Sequence, residues 1–580
     1  MAIPSQLPSK NEQRIIRQLV ESILFERLLP YQESDLQEDW KLFSITGAKR
    51  TYQCLGKRAA FDRVRLQGMP LISRSDGFQA IPTLAEIVED APLSKENQLA
   101  LLHELEQTAQ LSDWNDAHIC KLPSRRDLSY EQLESALSEG HPYHPCFKAR
   151  TGFTTADHRA YGNEADEGFM LTWIGIKKEA VAIYFPEEEH SFWQRELGYG
   201  QWSTIVKALC QAGGQLTEYR LFPVHPWQWN WVQKKELKKA LAKKDILFIG
   251  QFGSSYRATH SLRTLFNRDA PEKAHLKLPL HVMNTSSIRT IEPESVAAAP
   301  KLSAWLRGIV AQDGTLTTKY DVRVLSEYAG AAYEPAEPSS LSKELNFLFR
   351  ESVASHLHLS ETAIPFNALA LQEKDGELFI ARSIETYGIE AWLEQLIEVS
   401  VIPIIHLCAV HGIALEAHGQ NMILIEERGW PKGIMLRDFH ESVEYYEPWI
   451  EDKVAIPPFA QLHSAFKKGK DDQYYWMSSP EALRELVMDT LFVYHLADLS
   501  WQLEQSQQLA EHRFWEVVNR CLTRYFDSGI VSEKRLKALD FDASVIATES
   551  LFKKKWTGVR ESSHLIKNSL HKEVNQHVYR

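Results

Sequence analysis

Basic charge is in short supply along these 580 residues. Lys and Arg number 65 against 77 Asp and Glu, a formal net charge of −12 at pH 7. That balance excludes a global nucleic-acid footprint. Cysteine is sparse too. Cys54, Cys120, Cys146, Cys210, Cys408 and Cys521 are widely scattered, and no pair has CxxC spacing. Neither a zinc knuckle nor a redox pair is suggested, and the thiols are expected to be reduced and mostly buried. The start, Met1-Ala2-Ile3-Pro4-Ser5, lacks the charged and apolar regions of a signal peptide. The most apolar long run, Val399 to Leu415, is broken by Pro403, His406 and His411, so it reads as a buried helix rather than a membrane span. Repeats and low-complexity tracts are missing. The expectations are a cytoplasmic protein with no nucleic-acid and no membrane partner.

What is present is ordinary in bulk and unusual in places. Hydrophobic residues make up 44%, as in soluble globular proteins. The length exceeds what one core supports, so several domains are expected. Apolar positions Ile15, Ile16, Leu19, Val20, Ile23, Leu24 and Leu28 predict a helix within 12–29. Helical pattern recurs at 84–111 and at Leu128–Glu139, and alternating stretches fill 40–80. Residues 1–138 therefore read as an α/β unit without evident chemistry. Residues 139–340 carry His-Pro pairs and short β-rich runs such as Met170–Ile174 and Leu278–Met283. The small and proline-rich stretch from Gly330 to Ser340 predicts a loop or boundary. In 341–580, Lys374-Asp375-Gly376 predicts a hairpin between 369–371 and 378–381. A helix over 388–412, kinked at Pro403, is expected next. A second hairpin pairs Met422–Ile425 with Ile434–Leu436, and mostly helical chain follows. The fold class is α+β multidomain.

Two distant stretches carry the chemistry. The first holds Ser261, Arg263, Thr264, Lys277, Thr285 and Arg289. Arg binds phosphate or carboxylate as a bidentate fork, and Lys as a point charge. If extended, the first segment puts Ser261 and Arg263 on one face and Thr264 on the other. The second stretch holds Glu416, His418, Gln420, Asn421 and Asp438. The hairpin ends bring Asn421 and Asp438 together, an amide oxygen and a carboxylate suited to Mg²⁺. Protein kinases use the same layout, with Glu416 where a catalytic acid would stand. A small-molecule phosphotransferase is thus an alternative, but the Gly-rich phosphate loop it needs upstream is missing. A non-catalytic binder of citrate or a ferric siderophore is a third reading. The Gly140-His141-Pro142-Tyr143-His144-Pro145 loop, with Lys148 and Arg150, offers further phosphate donors or a structural kink.

Seven elements occur in a single order. They are Gly-His-Pro-x-His-Pro-x-x-Lys at 140–148, His-Pro-Trp-Gln at 225–228, Ser-x-Arg-Thr at 261–264 and Lys-Leu-Pro-Leu at 277–280. Thr-Ser-x-x-Arg-Thr at 285–290, Glu-Ala-His-Gly-Gln-Asn at 416–421 and Arg-Asp-Phe at 437–439 complete the set. In this the chain resembles the NRPS-independent siderophore (NIS) synthetases, the aerobactin-synthetase-like family. The resemblance implies a cupped hand: a thumb at 1–138, fingers at 139–340 and a kinase-like palm at 341–580. It implies that ATP activates a carboxylate of citrate, or a related acid, as an acyl-adenylate. An amine or alcohol then captures the acyl group. It assigns His144, Lys148, Ser261, Arg263 and Thr264 to ATP, and Thr285, Arg289, His418 and Gln420 to citrate. Lys277 falls at the nucleotide–acid junction, so that Arg289, His418 and Lys277 form the catalytic set. Glu416, Asn421 and Asp438 fall near Mg²⁺. A homodimer is also implied. The family's C-terminal Lys-x₅-Arg-Leu matches at Lys554 to Arg560, with Glu561 in place of leucine, and so offers Lys554 to the acid. The family's Asn-Pro-Leu appears as Asn568-Ser569-Leu570.

Overall fold

The structure is a computed structural model that describes residues 8–37, 39–73, 79–119, 124–165, 167–234, 237–559 and 563–571. Cys120, Arg560 and Glu561, named above, lie outside them. The chain folds into mixed α/β layers around three main cores.

The N-terminal unit opens with helix Lys10–Phe25, capped by the Ser9 hydroxyl, which accepts from the Glu12 amide. The predicted stripe from Ile15 to Leu24 is fully buried. Six short antiparallel strands between Tyr31 and Ala80 follow, then helices Leu84–Val88 and Lys95–His118. The far C-terminus completes this core: Phe552 and Trp556 are wholly buried in it. Glu26 fixes the graft, because its carboxylate accepts from the Phe552 amide at 2.8 Å and the Lys553 amide at 2.6 Å.

An eight-stranded sheet forms the middle layer. It runs, neighbour to neighbour, through Tyr219–Val224, Phe169–Lys177, Ile246–Ala258, Thr264–Asn267, His275–Lys277, Asn346–Arg350, Glu327–Tyr333 and Val181–Tyr184. Two expectations fail here. Of the stretch 330–340 only 334–340 is loop, and Gly330 to Tyr333 is sheet interior. Its residues are small because helix Pro293–Gln312 and the neighbouring strand press on them: a Cβ on Gly330 would stand 2.7 Å from the Phe347 carbonyl and 2.9 Å from Val296. Nor is Leu278–Met283 one strand. Pro279 lacks a backbone donor, and the chain leaves one sheet at Lys277 and enters another at Leu280–Asn284.

The C-terminal core stacks helix Ile389–His411 on a four-stranded sheet of Val322–Val324, Trp430–Leu436, Met422–Glu427 and Thr362–Pro365. Helix and hairpin stand where the sequence puts them, and the helix continues through Pro403. It is long and apolar enough to cross a membrane by length and composition, but its apolar residues fill this core. Leu302, Trp305 and Leu306 of helix Pro293–Gln312 enter the same core, while strand Asn346–Arg350 belongs to the middle sheet. The two units therefore interleave around residue 340. The hairpin expected at 374–376 shrinks to a turn with a single bridge, Gln372 to Leu378. Arg125 and Arg126 explain why, since they donate to the Gln372, Leu378 and Phe379 carbonyls and draw the segment away from a ladder. The last hairpin, Val545–Glu549 with Ser563–Lys567, was not expected.

Candidate active site

The first wall is a turn, not an extended strand. Ile246–Ala258 ends, and Leu262 takes a left-handed φ of 66° before Thr264 starts the next strand. The Ser261 hydroxyl accepts from the Thr264 amide at 3.2 Å, and the Thr264 carbonyl accepts from the Thr259 amide at 2.9 Å. Ser261 and Arg263 thus do not share the face of a flat segment. Arg263 instead reaches the Thr290 carbonyl at 2.5 Å and Glu441 at 3.4 Å. Thr264 is buried, and its hydroxyl has no hydrogen-bond partner among the described residues.

Lys277 ends its strand, and its ammonium crosses to the second wall. It donates to Asp438 at 2.6 Å and to Glu327 at 3.4 Å. Arg350 donates to the same Asp438 oxygen at 2.8 Å, and His440 Nδ1 lies 2.9 Å from Glu327. Burial alone would raise the Asp438 carboxyl, but Arg350, Lys277 and Arg437 hold it well below the usual carboxylate range. Glu327 is held low in the same way by His440 and Lys277, against its own burial. Asp438 sits at φ 65°, a conformation that Asp tolerates better than most residues and that recurs at functional sites. This turn aims its carboxylate at Lys277 rather than along the strand.

Beside this network lies the proposed acid site. Arg289 donates to the Asn284 carbonyl at 3.1 Å across the tight turn at Thr285, itself at φ 61°. Burial and the nearby Arg263 lower the Arg289 guanidinium to about 10, and its Nε is buried with no hydrogen-bond partner among the described residues. A buried cation so sparsely paired suits an anionic ligand. Across the gap, His418 Nε2 lies 3.5 Å from Glu416, whose other oxygen accepts from Ser442 at 2.6 Å. Burial would raise Glu416, yet His418, Ser442 and Arg289 hold it low. The Gln420 amide donates to His418 Nδ1 at 3.1 Å. Asn421 donates through Nδ2 to the Glu416 carbonyl at 3.0 Å, which leaves its Oδ1 as the acceptor. A cavity of only ≈ 10 Å³ is lined by Glu416, Asn421, Asp438 and Ser442, among others. Arg437 is structural: it donates to the Gln420 carbonyl, and its other end pairs with Glu134 at 2.7 Å.

Two expected phosphate ligands are engaged by protein groups: Lys148, which stays in electrostatic reach of His260 beside Ser261, and His144. Lys148 is buried against Glu164, which Arg150 also engages. Burial lowers its ammonium, while Glu164 beside it favours the charged form. His144 is buried against Phe552, with ring centroids 5.6 Å apart, and its Nδ1 accepts from the Cys146 amide. The loop's other histidine, His141, is the one coupled in charge to His418 and His260. Of the three adjoining lysines, Lys555 is tied to Glu104, whereas Lys554 is exposed and in electrostatic reach of Glu549, which in turn feels Glu416. Asn568 braces the tail by donating to the Phe541 and Ala543 carbonyls.

Sequence reasoning missed Glu327, Arg350, Glu441 and His495. Arg350 carries a faint signal, a charge that ends the apolar run Phe347-Leu348-Phe349. His495 sits in a π-wound segment, Met488–Leu496, and stands so close to Gly419 that a Cβ there would lie 2.8 Å from its Nδ1. Such segments often mark functional sites.

The chain matches the family model described as IucA / IucC over residues 129–371. Residues 390–571 match a model described as ferric iron reductase FhuF-like transporter. A citryl-spermidine/3,4-dihydroxybenzoyl-citryl-spermidine:spermidine ligase of Bacillus anthracis is 32% identical over 98% of this chain and 95% of its own. A 2-[(L-alanin-3-ylcarbamoyl)methyl]-3-(2-aminoethylcarbamoyl)-2-hydroxypropanoate synthase of Staphylococcus aureus is 29% identical over 88% of this chain and 85% of its own. Among solved structures, a petrobactin biosynthesis protein of Bacillus anthracis superposes with a TM-score of 0.92 at 32% identity, covering 98% and 96% of the two chains.

Proposed function

Because the chain belongs to the IucA / IucC family of NIS siderophore synthetases, we propose that it activates a carboxylate of citrate, or of a citryl monoamide, with ATP and Mg²⁺ and transfers the acyl group to an amine. The products are an amide, AMP and pyrophosphate. Three parts, a thumb, fingers and palm, are the matching reading of the fold, with the cleft between the last two. The cytoplasm is the matching place for it.

The observation that carries this reading is the meeting of the two walls at Lys277 and Asp438, 2.6 Å apart, with Arg289 and His418 alongside. Adenylation brings a triphosphate against a carboxylate, and their repulsion is the barrier to offset. In this reading Arg263 and Lys277 serve the phosphate side, where Lys277 would screen the pentacoordinate phosphorus as charge builds. Ser261 and Thr264 shape the turn that holds Arg263. Arg289, His418, Gln420 and Thr285 take the acid, with Lys554 entering from the rim. Mg²⁺ would neutralise phosphate charge when bound. The donor set fits it: Lys277 and Arg350 both take one oxygen of Asp438, so the second oxygen, Asn421 Oδ1 and Glu416 are available to a hard cation.

The nucleophile is read as a polyamine. Beyond Glu416 the cleft wall is acidic, with Glu444, Glu485, Asp489 and Glu549 in mutual electrostatic reach. Burial, then neighbouring carboxylates, push Glu444 up to about 7. Asp489 also rises to about 7, chiefly through burial. Carboxylates so crowded favour a polycation, which agrees with the spermidine in the name of the relative above. The test is pyrophosphate release over a grid of acids and amines, with mass spectrometry of the product. An ester in place of an amide in the mass spectrum would move the reading to an alcohol nucleophile.

A further inference from the structure

At the C-terminal end of helix Ile389–His411 a second constellation is left without a role. Asp313 follows the last residue of helix Pro293–Gln312, and His406 and His411 lie in the last turns of helix Ile389–His411. His406 Nε2 and His411 Nε2 both stand 2.7 Å from the same oxygen of Asp313. Among the described residues this is the one group of three His, Cys, Asp or Glu side chains whose ligand atoms all lie within 4.8 Å of one another. The other Asp313 oxygen is held by the Thr315 amide at 2.7 Å, so the carboxylate cannot swing away. Behind His406, its Nδ1 lies 2.7 Å from the Tyr525 hydroxyl.

We propose that Asp313, His406 and His411 bind a divalent transition metal of the zinc class, which clips the ends of two helices together. Four observations converge on a cation. Two imidazoles and a carboxylate form a donor set that zinc takes with an open fourth position. Both helices point their C-terminal, negative dipole ends at it. The Tyr525 hydroxyl is placed to accept from His406 Nδ1, the outer hydrogen bond that frees Nε2 for a metal. Asp313 and His411 keep 15% and 21% side-chain exposure, which leaves an entry path and room for a water ligand. Zinc holds its N and O ligands at about 2.0–2.2 Å, so tetrahedral donors stand roughly 3.3–3.5 Å apart. The present 2.7 Å spacings must open by less than about 1 Å, within the reach of small rotations of two rings. Lys319 is the cation turned toward His406, and it is drawn aside by the Tyr320 hydroxyl at 2.8 Å.

The test uses the full, untagged chain, stripped with a chelator and titrated with Zn²⁺ by calorimetry and with Co²⁺ by visible absorbance. The expected result is one metal per chain, a tetrahedral cobalt spectrum and a melting temperature that rises with Zn²⁺. His411→Ala, at a partly exposed position, is expected to weaken zinc by more than about 100-fold. Tyr525→Phe, which keeps the packing, is expected to weaken it about 10–100-fold. Zinc binding no tighter in the native chain than in His411→Ala would overturn the proposal and leave a hydrogen-bonded His–Asp–His clasp. So would a melting temperature indifferent to zinc. Neither readout involves adenylation, so the site stands or falls apart from the proposed reaction.

Discussion

Lys277 and Asp438 are 161 positions apart in the chain, and their charged atoms are 2.6 Å apart. The contact joins a strand end of the middle sheet to the end of the C-terminal hairpin, and Arg350 seals it from a third strand. Replacing Asp438 by Ala is expected to cut kcat by about 10²–10³-fold, the size of a lost electrostatic stabiliser. It also leaves Lys277 and Arg350 buried without their shared anion. Asp438→Asn separates the effects: it keeps the shape and loses the charge. Steady-state pyrophosphate release across a Mg²⁺ titration measures both, and an unchanged Mg²⁺ dependence in Asp438→Ala would remove Asp438 from the metal.

Arg289→Ala and His418→Ala are expected to raise KM for the acid by at least about tenfold while KM for ATP changes less than about threefold. The reason is positional. Arg289 and His418 flank Glu416, whereas Arg263 alone of the arginines here reaches the Thr290 carbonyl behind the turn. Equal losses for both substrates would contradict the division of the cleft.

Lys148→Met is expected to unsettle the fold more than ATP binding. Removing one partner of a buried ion pair costs about 3–5 kcal/mol, and Lys148 is 2% exposed against Glu164. Denaturant unfolding measures the loss. An ATP KM that rises more than about tenfold in the folded protein would assign Lys148 to the phosphate site.

Glu444 gives a pH signature. Its folded-state pKa is raised to about 7 from an ordinary 4.5. A raised carboxyl is protonated more readily in the folded chain. Its penalty is therefore absent below about pH 4.5, grows as pH rises, and is complete above about 7. Glu444→Gln is expected to raise stability at pH 8, by an amount of order 1 kcal/mol after solvent screening, and to leave it unchanged at pH 4.5. Melting curves at the two values decide. The same substitution is expected to weaken a polyamine more than citrate, if the acidic wall receives the nucleophile.

How much of this stood in the sequence varies element by element. Local signals were read well: the stripe from Ile15 to Leu24 and the hairpin from Met422 to Leu436 are set by spacing alone, and the structure keeps both. Partnership was not legible. The small residues at Gly330–Tyr333 look like loop because their reason, the helix pressing at Val296, lies in another segment. The two arginines at 125–126 that dissolve the 374–376 hairpin stand about 250 positions away. Glu327 and Arg350 are single charges in apolar strands, and only pairing reveals them as the supports of Lys277 and Asp438. The motif order gave no sign that Phe552, from the far end of the chain, packs on His144.

The most direct measurement follows the fate of ATP. The purified enzyme is given ATP, Mg²⁺, citrate and spermidine, and the nucleotide products are resolved alongside the organic product. AMP and pyrophosphate, formed in step with a citryl amide and lost in Asp438→Ala, are the expected outcome. ADP with a phosphorylated acid, or nucleotide turnover indifferent to the acid, would contradict the account.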